Sequence, residues 1–201
     1  MDTKDKKDIN IEMVFCLDRD EDAIGDVELM AKELQLLYEK ACLKAPYATI
    51  RSFKIKFITF GGVPMVQSGF FDVKTEWEQA YAFLQTQPPT HLIRESTATE
   101  ALLTAIHGEW PEENNGADTK RAVYLVTGDE IPSQGREEFC AAWNSNEPLP
   151  LKGRFLFVYA PNYGAYDFFA ELNNCISTDC VGFKCATAFR ESYLDCFFIM
   201  I

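Results

Sequence analysis

Long apolar runs are missing from this chain. No stretch reaches the roughly 18 residues that a membrane-crossing helix needs, and the apolar tail from Cys196 to Ile201 is far shorter. Residues 1–8 are polar and of mixed charge, and read as a disordered or extended terminal segment rather than a secretory signal. Basic clusters are missing as well. With a formal net charge of −12, the chain is repelled by phosphate backbones and anionic lipid, so neither nucleic acid nor membrane is an expected partner. There is no CxxC pair. The seven cysteines are odd in number and fall partly in expected core segments (Cys16, Cys42, Cys140), the usage of reduced thiols in a cytoplasmic protein. Cys175, Cys180 and Cys185 recur every five residues, with Cys196 beyond, a spacing unlike the usual zinc knuckles. Histidine is scarce: His91 and His107 read as surface or helix-capping residues. Glycine-rich phosphate loops, GxSxG elbows and HExxH helices do not occur.

What is present suits one globular domain over residues 9–201: 47% of residues are hydrophobic and 25% charged, and dividing the chain in two would leave each half a small core. Ile9 to Leu17 is a mainly apolar run, broken only by Asn10 and Glu12, that stops at the charged stretch from Asp18 to Asp22. It predicts a strand buried on both faces. Val27, Met30, Leu34, Leu37 and Ala41 then recur at helical steps, predicting an amphipathic helix from Asp26 to about Lys44. Phe53 to Phe60 predicts a second strand ending at Gly61-Gly62, and Val63 to Phe71 an antiparallel edge strand after a tight turn. Helices are expected over Thr75 to Leu84, with Thr75 as N-cap, and over Thr97 to Ile106. A polar, mobile loop from Pro111 to Thr119 precedes a buried strand, Ala122 to Val126. Further on come a helix over Gln134 to Trp143, a strand over Phe155 to Tyr159 and a helix over Tyr166 to Asn173. A short strand over Thr178 to Phe183 and a terminal helix from Ala186 to about Phe198 complete the reading.

Strands that alternate with helices imply an α/β fold: a mainly parallel, twisted sheet with one antiparallel edge strand and helices on both faces. Ligand-facing loops lie beyond the carboxyl ends of such strands. The stretches Asp18 to Asp22 and Thr127 to Glu130, and the loop before Thr97, all fall on that rim. Asp18, Asp20 and Asp22 are like charges at alternate positions. About 4 Å apart, two such charges repel by roughly 1 kcal/mol in water. An oxygen-only donor set of this kind suits Mg²⁺, Mn²⁺ or Ca²⁺. It equally suits a solvated acidic turn whose last aspartate caps the next helix.

The order of motifs carries a resemblance. An apolar strand ends in Asp18; then come FITFG (Phe57 to Gly61), STATEAL (Ser96 to Leu102) and YLVTGDE (Tyr124 to Glu130). Together they resemble a von Willebrand factor A domain over about residues 9 to 200, most similar to the short bacterial proteins associated with tellurite resistance and stress operons. The resemblance implies a three-layer, Rossmann-like fold, a protein-binding or scaffolding role, and a metal-ion-dependent adhesion site (MIDAS). In that site Asp18 matches the first aspartate of the DxSxS loop, Asp20 and Asp22 stand in place of its two serines, and Thr97 matches the threonine before a helix. Asp129 matches the last aspartate, although Thr127-Gly128-Asp129 exchanges the usual order of aspartate and glycine. Two added carboxylates would largely neutralise an ion, which would then attract an acidic partner poorly. The expectation is therefore a divalent ion held without the adhesion role, or no ion at all. The rim remains the natural docking surface in either case.

The apolar strand followed by Asp18-x-Asp20 is also similar to haloacid-dehalogenase-type phosphatases. That similarity would make Asp18 the nucleophile, Asp20 the acid/base and Asp129 part of a magnesium site. Against it, Asp22 stands where that family has threonine or valine, and Ile131-Pro132-Ser133 supply no second acidic residue beyond Glu130. Lastly, the adjacent pairs Phe168-Phe169 and Phe197-Phe198 cannot both face inward on a helix. One member of each is expected on a partner patch, with a second copy of the chain (a homodimer) among the candidate partners.

Overall fold

A computed structural model of the chain describes residues 6–19, 36–44, 48–61, 64–87, 97–112, 115–128, 131–145, 154–161, 169–180, 187–188 and 191–192. Its elements, in chain order, are β1 (Lys7–Asp18), α1 (Leu37–Lys44), β2 (Ala48–Phe60), β3 (Val66–Gln67), β4 (Phe71–Asp72), α2 (Trp77–Gln85), α3 (Ala98–His107), β5 (Asp118–Val126), α4 (Arg136–Asn144), β6 (Arg154–Ala160) and β7 (Cys175–Asp179). The strands form one sheet in the order β3-β2-β1-β5-β6-β7, with β4 also on β2. From β2 to β7 the neighbours are parallel. Only the two short pieces β3 and β4 run antiparallel to β2.

Alternation along β1 assigns the two faces. Ile9, Ile11, Met13, Phe15 and Leu17 join Phe53, Ile55 and Phe57 of β2 and Tyr124 of β5, against Ala41 of α1 and Ala80 and Leu84 of α2. Val14 and Cys16 point the other way, into a second core with Ala101, Leu102 and Ala105 of α3 and Phe139 and Trp143 of α4. The sheet is thus covered on both sides, as a parallel sheet requires. Ring contacts tie the first face across strands: Phe15 stacks on Tyr124 at 5.0 Å, and Tyr124 meets Phe157 at a tilt at 4.8 Å. On the second face Asn10 and Glu12 are fully buried. Glu12 accepts a 2.7 Å charge-assisted bond from Arg121 Nε, and the Arg121 guanidinium also donates to the Pro111 carbonyl at 3.2 Å and faces the Trp110 ring.

Several expectations are corrected. The strands are longer at their starts: β1 takes in Lys7 and Asp8, and β2 begins at Ala48. The expected edge strand is two pieces because Ser68 interrupts it, its hydroxyl accepting from Phe57 N at 2.9 Å in place of a backbone carbonyl. Thr75 does not cap α2. Asp72 Oδ1 takes the backbone N–H of Lys74 and Thr75 instead, and Glu76 is the residue at the helix boundary. The loop before β5 is tied rather than mobile at Asn115, whose amide exchanges bonds of 2.9 and 3.0 Å with Asn10, and Asp118 and Thr119 are already strand. The last strand lies earlier than expected, at Cys175–Asp179, where parallel pairing with β6 starts from Leu156. Cys42 is exposed, not in the core. The expected helix from Tyr166 to Asn173 is shorter than predicted at its end: 169–170 are helical and 171–173 already turn towards the last strand. The first part of the expected helix from Asp26, the start of the helix from Tyr166 and most of the terminal helix fall outside the described residues, as do Phe168, Phe197 and Phe198, whereas Phe169 is buried. No helix among the described residues is long and apolar enough to cross a membrane.

Candidate functional site

Topology selects one place on this sheet. The chain leaves β1 towards β2, through α1 on the first face, and leaves β5 towards β6, through α4 on the second. The carboxyl ends of β1 and β5 therefore flank the point where the winding reverses, the usual position of a ligand crevice in an open α/β sheet. Two polar residues meet there. Asp18 ends β1 on the α3/α4 face, only 1% exposed, and its Oδ2 accepts a 2.6 Å hydrogen bond from Thr127 Oγ1, the residue just after β5. Thr127 is itself completely buried, and its N–H donates to the Tyr159 carbonyl of β6 at 3.0 Å.

The other carboxylate oxygen lies against Gly61, the residue after β2. A Cβ built on Gly61 would stand 2.1 Å from Asp18 Oδ1. Gly61 also holds a left-handed φ of +80°, so glycine is required here twice over. Arg19 N donates to the Phe60 carbonyl at 2.8 Å, which continues the β1–β2 ladder past Asp18 and fixes the direction of its side chain.

Thr97 stands at the N-terminus of α3. It adopts the N-cap position without making a side-chain cap bond, and its Oγ1 is buried with no hydrogen-bond partner among the described residues. A hydroxyl in that condition is uncommon in a folded protein and calls for an explanation. Its level on the sheet follows from the packing of α3. Cys16 Sγ, two residues before Asp18, meets the Ala101 carbonyl at 3.6 Å, and the far end of the helix at Gly108 lies beside Lys56, whose strand partner is Val14. The helix therefore runs antiparallel to β1, and Thr97, one turn ahead of Ala101, lies on Asp18's rim.

Beside this rim is a cleft of about 840 Å³ between the N-termini of α3 and α4, lined among others by Thr97, Thr99, Glu100, Ser133, Arg136 and Glu138. Its floor is rigid: the Arg136 guanidinium donates to the carbonyls of Pro132 and Ile131, and Gly135, at φ +78°, lets the turn approach to where a Cβ would stand 3.0 Å from the Thr99 methyl. Beneath the rim, burial pushes the Cys16 thiol far above its ordinary range, which keeps it neutral and inert.

Of the residues singled out from sequence, Asp18 and Thr97 come to the same rim. Asp20, Asp22 and Asp129 lie outside the described residues, as does His91. His107 is exposed, at the opposite end of α3 from Thr97. Among the described residues no group of three or more His, Cys, Asp or Glu side chains converges in the manner of a metal site. Thr127 and Gly61 were not anticipated as partners of Asp18. A hydroxyl following the apolar run of β5 was the available signal for the first.

No family model and no curated protein matches the chain. Solved structures do. Proximal thread matrix protein 1 from the mussel byssus superposes with a TM-score of 0.51 at 9% identity, over 95% of this chain and 46% of that one; a second crystal form gives 0.50 at 11% identity, over 94% and 48%. This chain thus spans about half the length of the mussel protein, which has also been solved with zinc in its MIDAS motif. The protein BatB from Bacteroides thetaiotaomicron gives a TM-score of 0.48 at 15% identity, over 93% of this chain and 98% of that one. Sheet order, layers and the mussel likeness agree on the architecture, a Rossmann-like α/β fold of the von Willebrand factor A kind.

Proposed function

We propose that the chain is a protein-interaction or scaffolding module of the von Willebrand factor A type, and that it docks its partners at the rim where β1, β5 and α3 end. The observation that carries the reading is a buried, oriented carboxylate on the same rim as a buried hydroxyl that has no partner among the described residues. Asp18 is held by Thr127 and Gly61, and Thr97 Oγ1 satisfies nothing among the described residues. Both are accounted for if an oxygen-seeking divalent cation, Mg²⁺, Mn²⁺ or Ca²⁺, is bound there. Asp18 and Thr97 would hold it, Thr127 would orient Asp18 from behind, and Asp20, Asp22 and Asp129, which follow β1 and β5 closely in the sequence, would add negative charge. The zinc in the mussel protein's MIDAS motif belongs to that protein, but it agrees with a cation role for this kind of rim.

A loop set rich in aspartate favours a partner surface that is basic or neutral over an acidic one. The sequence resemblance to short tellurite-resistance-associated proteins supports placing the module in a cytoplasmic bacterial stress assembly, with its partners being other proteins of that assembly. The phosphatase alternative draws no support. Its acid/base would be Asp20, and its nucleophile, Asp18, is committed to Thr127. The two readings separate in one experiment: incubation with p-nitrophenyl phosphate and Mg²⁺, alongside a thermal-shift series with Mg²⁺, Mn²⁺ and Ca²⁺. The module reading expects stabilisation by at least one ion and no turnover. Turnover that disappears in Asp18→Asn would replace it with the enzyme.

A further inference from the structure

Lys56 is the unusual group elsewhere in the molecule. It sits in the middle of β2, opposite Val14, about four residues below the rim, and is only 8% exposed. No carboxylate lies within ion-pair distance and no hydrogen bond engages its ammonium among the described residues. Its surroundings are ring faces and helix end: Nζ is 5.9 Å from the Phe70 ring centre, and a Cβ on Gly108 would approach it to 3.4 Å. The carbonyls that close α3 offer partial compensation for the charge, but a buried cation is normally paired. Burial among these groups pulls the ammonium's pKa below the ordinary lysine value, with Glu109 acting in the opposite direction.

The amine opens on a cleft of about 450 Å³, separate from the one at the rim, bounded by Gln67, Ser68, Phe70, Glu109 and Trp110. Phe70 and Trp110 form a wall with ring centres 5.5 Å apart. Trp110 is fixed by its indole N–H, which donates to the Ala105 carbonyl at 3.0 Å, and Ser68 Oγ is already engaged by Gly69 O and Phe57 N. Lys56 is therefore the cleft's unspent charge, above a pre-formed aromatic wall. A volume of this order holds a small organic molecule.

The geometry points to a binding site for a small aromatic carboxylate, its ring against Phe70 and Trp110 and its anionic group on the Lys56 ammonium. Glu109, exposed at the mouth, competes for the same ammonium, so removing its charge strengthens binding. The site stands independently of the cation at the rim.

Calorimetric titration with benzoate, and with benzamide as its uncharged counterpart, tests the inference in the wild type, Lys56→Met and Glu109→Gln. Benzoate is expected to bind the wild type at least tenfold more tightly than benzamide and to shift the Trp110 indole resonance while leaving those of Trp77 and Trp143 in place. Lys56→Met should abolish the preference, and Glu109→Gln, a surface change that leaves folding intact, should raise benzoate affinity severalfold. Equal affinities for benzoate and benzamide would overturn the inference, as would unchanged or weaker benzoate binding in Glu109→Gln, or a shift at another tryptophan.

Discussion

At the rim, single atoms decide what each residue can be. Thr127 and Asp18 share a 2.6 Å bond with both side chains buried. Thr127→Val leaves a buried carboxylate oxygen without its donor and is expected to lower stability by about 1–3 kcal/mol, read from urea unfolding with an unchanged slope. Gly61→Ala meets both a left-handed φ, worth about 1–2 kcal/mol, and the Asp18 oxygen at 2.1 Å, so it should destabilise more than Thr127→Val does. Thr97 predicts the opposite sign. Its hydroxyl is buried and without a partner among the described residues, and Thr97→Val in metal-free protein should raise stability by roughly 1 kcal/mol. A cap residue working in the ordinary way would lose a similar amount. The thiols give a separate test. Cys16 is fully buried and its pKa pushed well up, whereas Cys42 is exposed. At pH 8 Ellman's reagent should therefore label Cys42 in the native protein and leave Cys16 silent until it unfolds. Because the folded pKa of Cys16 lies above its unfolded value of 9.0, its contribution to stability is complete below pH 9 and declines as pH rises beyond it. Cys175, pushed up to about 12 by burial, acts in the same direction.

Among the elements, β1 and β5 are coupled by more than their ladder. Glu12 is completely buried and joined to Arg121, which in turn reaches Pro111 and Trp110. Removing one partner, as in Glu12→Ala, strands a charge and should cost about 3–5 kcal/mol, whereas Glu12→Leu combined with Arg121→Met should lie near neutral or gain stability. A melting-temperature cycle over the four proteins reads the difference. This pair also marks the limit of what sequence patterning reveals. β1 and β5 were legible because each is an apolar run ending at polar residues, β6 because its apolar run ends at Ala160-Pro161, and α3 because Ala101, Leu102, Ala105 and Ile106 repeat at helical spacing. Nothing local announces that Glu12 meets Arg121, which lies 109 residues away. Thr75 has the composition of an N-cap, yet lost that position to the Asp72 turn. Thr127 carries no local mark of its role, because its buried bond to Asp18 depends on β1 and β5 being parallel and adjacent.

For the whole molecule, the reversal of winding between β1 and β5 produces the crevice, and the chain furnishes it with Asp18, Thr127 and Thr97. The same layering places the Lys56 cleft lower on the α3 side, just beyond the C-terminus of that helix, so the two sites lie at its opposite ends and share no residues. The role proposed for the rim requires that it take a cation. Calorimetric titration of metal-free protein with Mn²⁺, repeated with Mg²⁺ and Ca²⁺, is the most direct measurement. It should give saturable one-site binding at or below millimolar concentration in the wild type. Affinity should fall at least tenfold in Thr97→Val, a variant expected to be no less stable than the wild type without metal, and vanish in Asp18→Asn. No heat from any of the three ions in the wild type, or binding by Thr97→Val as tight as the wild type's, would contradict it.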